Sequence, residues 1–241
     1  MPKPQSSSFT ISRRNLPRHV GIIMDGNGRW AVQRNKPRHK GHIEGLESAK
    51  RVVKAAAETG LKYVSLYTFS TENWKRAEEE VSYLMFLVKK HLKKEYQFYR
   101  ENNIRIVHSG ETTRLQKGVV KSISETIDET KGFDGLTVNL ALNYGGRDEI
   151  IRAVGRCVEK TGHAPGTEKE MGKYLDQPNF PDADLIIRTG GEQRLSNFLL
   201  WQSSYAEFYF SDKLWPDWSG NDLTEAILDF QKRKRRFGNA K

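Results

Sequence analysis

A single cysteine, Cys157, removes any intramolecular disulfide from this chain of 241 residues. It follows Val154 by three residues on an apolar helical face, which reads as core filling rather than as a catalytic thiol. No run approaches the roughly 18 apolar residues of a membrane span, and the first 16 residues lack the apolar block of a signal peptide. The protein is therefore expected in the cytoplasm. No Gly/Ser-rich or Pro-rich stretch divides the chain and no segment repeats, so one domain over residues 17–241 is expected. Residues 1–16 read as a flexible N-terminal tail, disordered over its first eight positions. Acid is scarce at both ends. Residues 1–43 hold nine basic side chains against one acid, Asp25, and residues 231–241 hold six basic and none acidic. The net charge of +10 thus belongs to the ends, and the body between them is slightly acidic. Nucleic acid, a membrane surface or a phosphate ligand would each suit such ends.

Familiar chemistry is also missing. No G-x-x-x-x-G-K-[ST] loop and no G-x-G-x-x-G at the first helix are present, which argues against a standard nucleotide triphosphatase or dinucleotide site. There is no G-x-S-x-G elbow, and no Cys/His cluster has zinc spacing.

What is present is a regular alternation. Short apolar runs over 20–24, 63–68, 104–107, 136–142, 185–187 and 207–210 read as strands, and helical patterns cover 43–59, 81–101, 113–130, 149–160 and 223–234. The predicted class is α/β: a single domain with a mostly parallel central sheet of about six strands flanked by helices. Ligands of such sheets bind beyond the carboxyl ends of the strands.

Those ends carry the informative residues. The first strand runs into Asp25-Gly26-Asn27-Gly28-Arg29, where two glycines permit close backbone approach and a helix can begin. Free N–H groups at a helix start beside an arginine make an anion site. An aspartate there would repel a phosphate unless a metal lay between, which points to a Mg²⁺-bound phosphate ester. A lone Asp-Gly pair is more often only a turn. Here, however, Arg34, Lys36, Arg38, His39, Lys40 and His42 follow with no acid among them. The second strand ends in Ser70-Thr71-Glu72-Asn73-Trp74-Lys75-Arg76, which reads either as a mobile lid or as an exposed loop whose Trp74 packs down. The fifth ends in Arg188, with Arg194 and Ser196 following. Basic turns at three strand ends on one sheet edge suggest a clamp for more than one phosphate group.

The helical pattern from residue 81 adds an apolar element. Val81, Leu84, Met85, Val88 and Leu92 form a core stripe, while Tyr83, Phe86 and Leu87 fill another side. Such a helix is either fully buried or has a second apolar surface to cover, a dimer partner or a ligand's hydrocarbon chain. With a phosphate-binding edge, the pattern suggests an amphiphile with a diphosphate head and an apolar tail.

Four stretches in register then carry a resemblance. His19-Val20-Gly21-Ile22-Ile23-Met24-Asp25-Gly26-Asn27-Gly28-Arg29-Trp30-Ala31 is followed by Pro37-Arg38-His39-Lys40-Gly41-His42 and by Phe69-Ser70-Thr71-Glu72-Asn73-Trp74. Last comes Ile187-Arg188-Thr189-Gly190-Gly191-Glu192-Gln193-Arg194-Leu195-Ser196-Asn197-Phe198, with Glu207 and Leu214-Trp215-Pro216 beyond it. Over about residues 17–238 the chain resembles the cis-prenyltransferases, nearest to the bacterial undecaprenyl diphosphate synthases, departing at Ala77 and Gly190.

The resemblance implies repeated condensation of isopentenyl diphosphate onto an allylic diphosphate. It implies the type specific for (2E,6E)-farnesyl diphosphate that makes di-trans,poly-cis-undecaprenyl diphosphate, a lipid-carrier precursor for cell-wall synthesis. A short- or medium-chain synthase is the alternative. It further implies Mg²⁺ on Asp25 and Glu207, and catalytic roles for Asp25, His42 and Asn73. The allylic diphosphate would lie on Gly26, Asn27, Gly28, Arg29, Trp30, Arg38 and His42, and isopentenyl diphosphate on Arg188, Arg194 and Ser196. Ser70, Asn73, Trp74, Arg76 and Glu80 would form the closing loop and its hydrogen bonds, and Ser70, Thr71, Glu72, Trp74 and Arg76 would bind substrate. A hydrophobic tunnel would run between the sheet and the helices 43–59 and 81–101. Family members are homodimers in which an Arg-x-Gly, here Arg236-Phe237-Gly238, completes the neighbour's site, with transient membrane contact at product release. Two rivals remain: a basic nucleic-acid-binding module using the ends and Trp74, and a phosphatase acting at Asp25.

Overall fold

The computed structural model describes residues 11–236. Six strands form one sheet in the order β3-β4-β2-β1-β5-β6, every neighbouring pair parallel. They are β1 His19–Ile23, β2 Tyr63–Ser70, β3 Ile104–Ser109, β4 Leu136–Tyr144, β5 Leu185–Arg188 and β6 Glu207–Phe210. The helices are α1 Asn27–Gln33, α2 Arg38–Thr59, α3 Glu78–Lys94, α4 Tyr96–Glu101, α5 Lys117–Thr130, α6 Gly146–Thr161, α7 Glu168–Gly172 and α8 Gly220–Lys232. Parallel neighbours need long crossovers, and the helices supply most of them. The strand order reverses at β1, which lies between β2 and β5. The carboxyl end of β1 is therefore the topological switch point, where ligands of open sheets gather.

Burial explains the apolar runs. Every residue of β1 is buried, as expected of a strand covered on both faces. Val20 and Ile22 join Val52, Val53 and Ala56 of α2 and Leu223 and Ile227 of α8 in one core cluster. Ile23 joins Phe198 and Leu199 in a cluster on the other face. Gly21 faces the same way, and a Cβ there would lie 2.6 Å from Ile186 Cδ1.

Several boundaries differ from the sequence reading. α2 starts at Arg38, behind a Pro37 N-cap, instead of at residue 43, so the basic segment 38–42 is its first turn rather than a loop. The pattern over 81–101 is two helices, α3 and α4, broken at Glu95. The short α7 has too few residues to show a period and was not expected. Residues 11–16, set within the tail, are anchored: Ile11 and Leu16 pack on the main core, and Gln231 Nε2 of α8 donates to Ser12 O at 2.7 Å and to Asn15 O at 2.9 Å. Among the described residues no helix is long and apolar enough to cross a membrane.

Candidate active site

The turn after β1 is held by its neighbour strand. Thr189, just past β5, donates its hydroxyl to Asp25 O at 2.7 Å and accepts from Asp25 N at 2.9 Å. Gly26 then takes φ 112°, a left-handed conformation, and a Cβ there would sit 3.1 Å from the Leu214 Cα. Both demands select glycine. α1 starts at once, leaving its first N–H groups without intrahelical partners. A Cβ on Gly28 would meet the Arg38 guanidinium at 2.8 Å, so this glycine lets Arg38 lie across the turn.

Asp25 is held from two sides. Its Oδ2 accepts from Arg188 Nη2 at 3.0 Å and its Oδ1 lies 3.2 Å from Arg29 Nη2. Arg188 is 4% exposed and also donates through Nη1 to Ser196 Oγ at 2.7 Å and to Arg194 O at 2.5 Å. Arg29 donates to Gly190 O at 2.6 Å. A second knot centres on Glu80, 2.9 Å from Arg76 Nη1, 3.5 Å from His42 Nε2 and 3.8 Å from Arg38 Nε. Partial burial works against its charge, but the Arg76, Arg38 and His42 groups hold the Glu80 carboxyl below its ordinary pKa. Burial pushes His42 below its ordinary value, with Glu80 opposing, so the ring is neutral near pH 7.

These groups surround a polar cleft of about 660 Å³ that contains most of the residues singled out from sequence. Asp25, Gly26, Asn27, Gly28, Arg29, Arg38 and His42 line one side; Ser70, Glu72, Asn73 and Arg76 another; Arg188 and Ser196 a third. Among the described residues, three buried polar atoms at this cleft, Asn27 Oδ1, His42 Nε2 and Arg188 Nε, have no hydrogen-bond partner, although the Glu80 carboxylate lies 3.5 Å from His42 Nε2. Such orphans are uncommon in native interiors and leave bonding capacity that a polar ligand can complete. The segment after β2 is a 3₁₀ turn over Thr71–Lys75, in which Asn73 Oδ1 accepts from Ser70 N at 3.0 Å.

Other candidates lie elsewhere. Trp30 is buried, donating to Asp217 Oδ1 at 2.6 Å with the Arg34 guanidinium 4.4 Å above its ring, and is not a cleft residue. Trp74 packs down on Phe69 and donates to Asn143 Oδ1 at 2.6 Å, so of its two sequence readings the packed one holds. Thr71 faces Gly145, and the Arg194 side chain pairs with Glu192. Glu207 is not brought to Asp25 within one chain. It begins β6, level with Leu185, while the cleft lies beyond Arg188 at the other end of that ladder, and it pairs with Arg233 Nη1 at 3.0 Å. The expected joint metal site of Asp25 and Glu207 therefore does not form inside a single chain. Two arginines of the basic C-terminal run are also engaged internally, Arg233 with Glu207 and Asp229, and Arg235 with Asp184. Arg236 is exposed, and Gly238 lies outside the described residues.

The sequence reading passed over Tyr67, Thr68, Asn197 and Met24, which also line the cleft. Met24 follows β1 directly and Tyr67 and Thr68 lie near the carboxyl end of β2, a position that could have found them, whereas Asn197 lies within the long loop after β5 and carries no such signal. Asn197 ties two loops together, donating to Glu72 Oε1 at 2.8 Å and accepting from Arg147 N at 2.9 Å. Away from the cleft, Cys157, His163 and Glu170 bring their ligand atoms within 4.8 Å of one another, a grouping the linear spacing did not reveal.

An apolar cavity of about 130 Å³ adjoins the cleft. Met24, Asn27, His42, Tyr67, Thr68 and Leu84 line both. α3 is apolar on two sides, as its sequence suggested, but the division differs. Val81 and Met85 pack with Val119 and Ile123 of α5, Leu84, Leu87 and Val88 face the cavity, and Leu92 belongs to both. Phe86 is 54% exposed. The arrangement suits a molecule with a polyanionic head and a hydrocarbon tail, the head among guanidinium groups and the tail between α2, α3 and the sheet.

Residues 23–238 match a family model described as putative undecaprenyl diphosphate synthase. The chain is 51% identical over 223 residues to an isoprenyl transferase of Treponema denticola, covering 92% of this chain and 98% of that protein. It is 45% identical to an isoprenyl transferase of Clostridium perfringens, covering 98% and 95%. Among solved structures, lavandulyl diphosphate synthase from Lavandula x intermedia in complex with dimethylallyl diphosphate superposes with TM-score 0.88 at 33% identity, covering 93% of this chain and 99% of that one. A probable undecaprenyl diphosphate synthase from Campylobacter jejuni gives TM-score 0.80 at 36% identity, covering 93% and 100%.

Proposed function

Since the chain belongs to the isoprenyl transferase family, that of the putative undecaprenyl diphosphate synthases, we propose that it condenses isopentenyl diphosphate repeatedly onto an allylic diphosphate, each new double bond cis. Farnesyl diphosphate is the proposed primer and undecaprenyl diphosphate, a carrier-lipid precursor for cell-wall synthesis, the proposed product. The observation that carries this reading is the cation-lined cleft that shares its inner wall with an apolar cavity.

In this reading Gly26, Asn27, Gly28, Arg29, Arg38 and His42 hold the allylic diphosphate, and Arg188 with Ser196 holds that of isopentenyl diphosphate. Arg194 would have to leave Glu192 to join them. A second copy would supply Arg236 and Gly238 in a homodimer. Asp25 fits a divalent cation: it is a hard oxygen donor, 32% exposed by side chain, among arginines that attract phosphate. When bound there, Mg²⁺ would neutralise charge that develops on the departing diphosphate. Arg29 and Arg38 supply fixed positive charge to the same oxygens. The coupling also releases a proton from the isopentenyl carbon. His42 is suited to accept it, being held neutral by burial, with the Glu80 carboxylate 3.5 Å from Nε2 to stabilise the imidazolium that forms. Asn73 is committed to its turn.

The resting cavity is about 130 Å³, near the size that holds one benzene-sized guest. This supports a short- or medium-chain product as the second reading, unless α3 yields as the chain grows. Labelled isopentenyl diphosphate supplied with farnesyl diphosphate and Mg²⁺ tests both. Incorporation into long polyprenyl products is expected, and release of inorganic phosphate from simple monoesters without coupling would overturn the reading.

A further inference from the structure

Helix α6 opens on Gly145 and Gly146, which have no side chain with which to cap it. The acceptors come instead from Asn197, in the loop after β5. Its O accepts from Gly146 N at 2.7 Å and its Oδ1 accepts from Arg147 N at 2.9 Å. The other end of the same amide, Nδ2, donates to Glu72 Oε1 at 2.8 Å in the turn after β2. One side chain thus joins the segments that follow β2, β4 and β5. A Cβ on Gly145 would lie 2.7 Å from both Asn197 Nδ2 and Thr71 Oγ1, so that glycine leaves room for the amide.

This placement carries a conformational cost. Ser196 and Asn197 take φ 49° and 66°, and Leu199 takes 44°, all left-handed. Asparagine tolerates that region, but serine and leucine enter it at some cost, and such strain persists only where contacts on several sides fix it. Those contacts are present. Phe198 and Leu199 are buried, Phe198 stacks on Tyr67 at 4.5 Å, and Tyr67 Oη donates to Ser196 O at 3.1 Å. The result is a Ser196 whose Oγ accepts from Arg188 Nη1 at 2.7 Å, the pair assigned above to isopentenyl diphosphate. Freed of the bonds at Asn197, Ser196 would relax out of its left-handed conformation and take Oγ away from Arg188.

Resting on the prenyl transfer proposed above, we infer that Asn197 is the positioning residue of the isopentenyl diphosphate subsite. Its amide latches the turn at Glu72 to the start of α6 and thereby holds Ser196 beside Arg188. Asn197 acts through Ser196 and touches no reacting atom.

The test reads KM for isopentenyl diphosphate, KM for farnesyl diphosphate, kcat and melting temperature in wild type, Asn197→Asp and the double variant Asn197→Asp/Glu72→Gln. Asn197→Asp keeps the shape, the tolerance of a left-handed backbone and the cap, since a carboxylate suits a helix N-terminus, but it sets two carboxylates against each other. It is expected to raise KM for isopentenyl diphosphate about tenfold, the scale of one charge-assisted hydrogen bond, with KM for farnesyl diphosphate and melting temperature unchanged. Glu72→Gln in the same chain restores a donor opposite the new carboxylate and should reverse most of the rise. An unchanged KM in Asn197→Asp, or an equal rise for both substrates, overturns the proposal. So does a rise that the double variant fails to reverse, because one of the two residues would then meet the substrate directly. If Asn197→Asp does not fold, Glu72→Ala opens the latch and spares the cap: the same selective rise is expected, and unchanged kinetics overturn the proposal. A wild-type enzyme that makes no prenyl product at all would instead refute the transferase reading, so the two failures are distinguishable.

Discussion

The two edges of the sheet are both rich in charge, yet they use it differently. At the carboxyl edge, Asp25 shares Arg29 and Arg188, Glu80 gathers Arg38, His42 and Arg76, and three buried polar atoms among the described residues remain unsatisfied. At the amino edge, Asp184 takes Arg235 and the Arg18 backbone N–H, and Glu207 takes Arg233. His19 there has both ring nitrogens bonded, to Pro181 O at 2.9 Å and Ser65 Oγ at 2.8 Å. One edge keeps bonding capacity for a ligand; the other spends it on the fold. Positive charge is thus no guide to a site unless the pairing is known, and much of the basic C-terminal run belongs to the second class.

The largest effect that could break this contrast is at Asp25. Asp25→Ala should lower incorporation of labelled isopentenyl diphosphate by about 10³-fold, the scale of a lost charge-stabilising group. Retained activity would remove Asp25 from the site. Next comes acid stability. Burial lowers His19 from 6.5 to about 4. The neutral ring is favoured in the folded state, so its contribution is whole above pH 6.5 and fades as pH falls toward 4, by up to about 3 kcal/mol. Urea unfolding at stepped pH should show this slope, and His19→Gln should lessen it, leaving the shares of His42, His91 and His108, which burial lowers in the same direction. At the carboxyl edge, His42→Asn should cost about 10²-fold in kcat, the lower range for a general base. The wild-type rate should fall on acidification only below pH 6.5, because the folded histidine titrates beneath its ordinary value. The smallest effect is expected at the amino edge. Glu207→Gln breaks a pair whose side chains are about a third exposed, worth up to about 1 kcal/mol after solvent screening, with kinetics unchanged if only one chain is involved. A large loss of kcat there would instead assign Glu207 to a site built from two copies.

The same contrast alters what removal of the tail would mean. Truncation after Phe230 would take away Arg233 and Arg235 together with the Gln231 bonds to Ser12 and Asn15. Weakened use of isopentenyl diphosphate in that variant would therefore reflect a loosened amino edge as well as a lost Arg236. Arg236→Ala alone separates the two, with a raised KM and an unchanged melting temperature as the expected result.

Sequence reading found the cleft well because its residues sit directly after strands, where a buried apolar run gives way to Gly, Asp and Arg within a few positions. It placed Trp30 less well. The resemblance set this indole on the allylic diphosphate, but only the position of Asp217 reveals that the ring is already committed; for Trp74 the position of Asn143 decided between the two readings the loop allowed. The break at Glu95 was hidden for a similar reason. Lys93, Lys94 and Glu95 have ordinary helical propensity, and the partner that draws Glu95 inward is Lys50, on another helix.

By itself the sequence determined the α/β class, the strands that are buried on both faces and the turn that demands Gly26, since each follows from local patterning and backbone sterics. It also determined which side chains stand at the carboxyl edge, because a strand's direction places its following loop there. Only the tertiary structure decided which of them meet. Strand order sets β1 beside β5, so that Asp25 reaches Arg188 across 163 positions of sequence. Among the described residues it also gives β6 only β5 as a neighbour and leaves Glu207 at the far end of that ladder with Arg233. That order reflects the packing of helices on both faces of the sheet, a long-range property that no local pattern encodes.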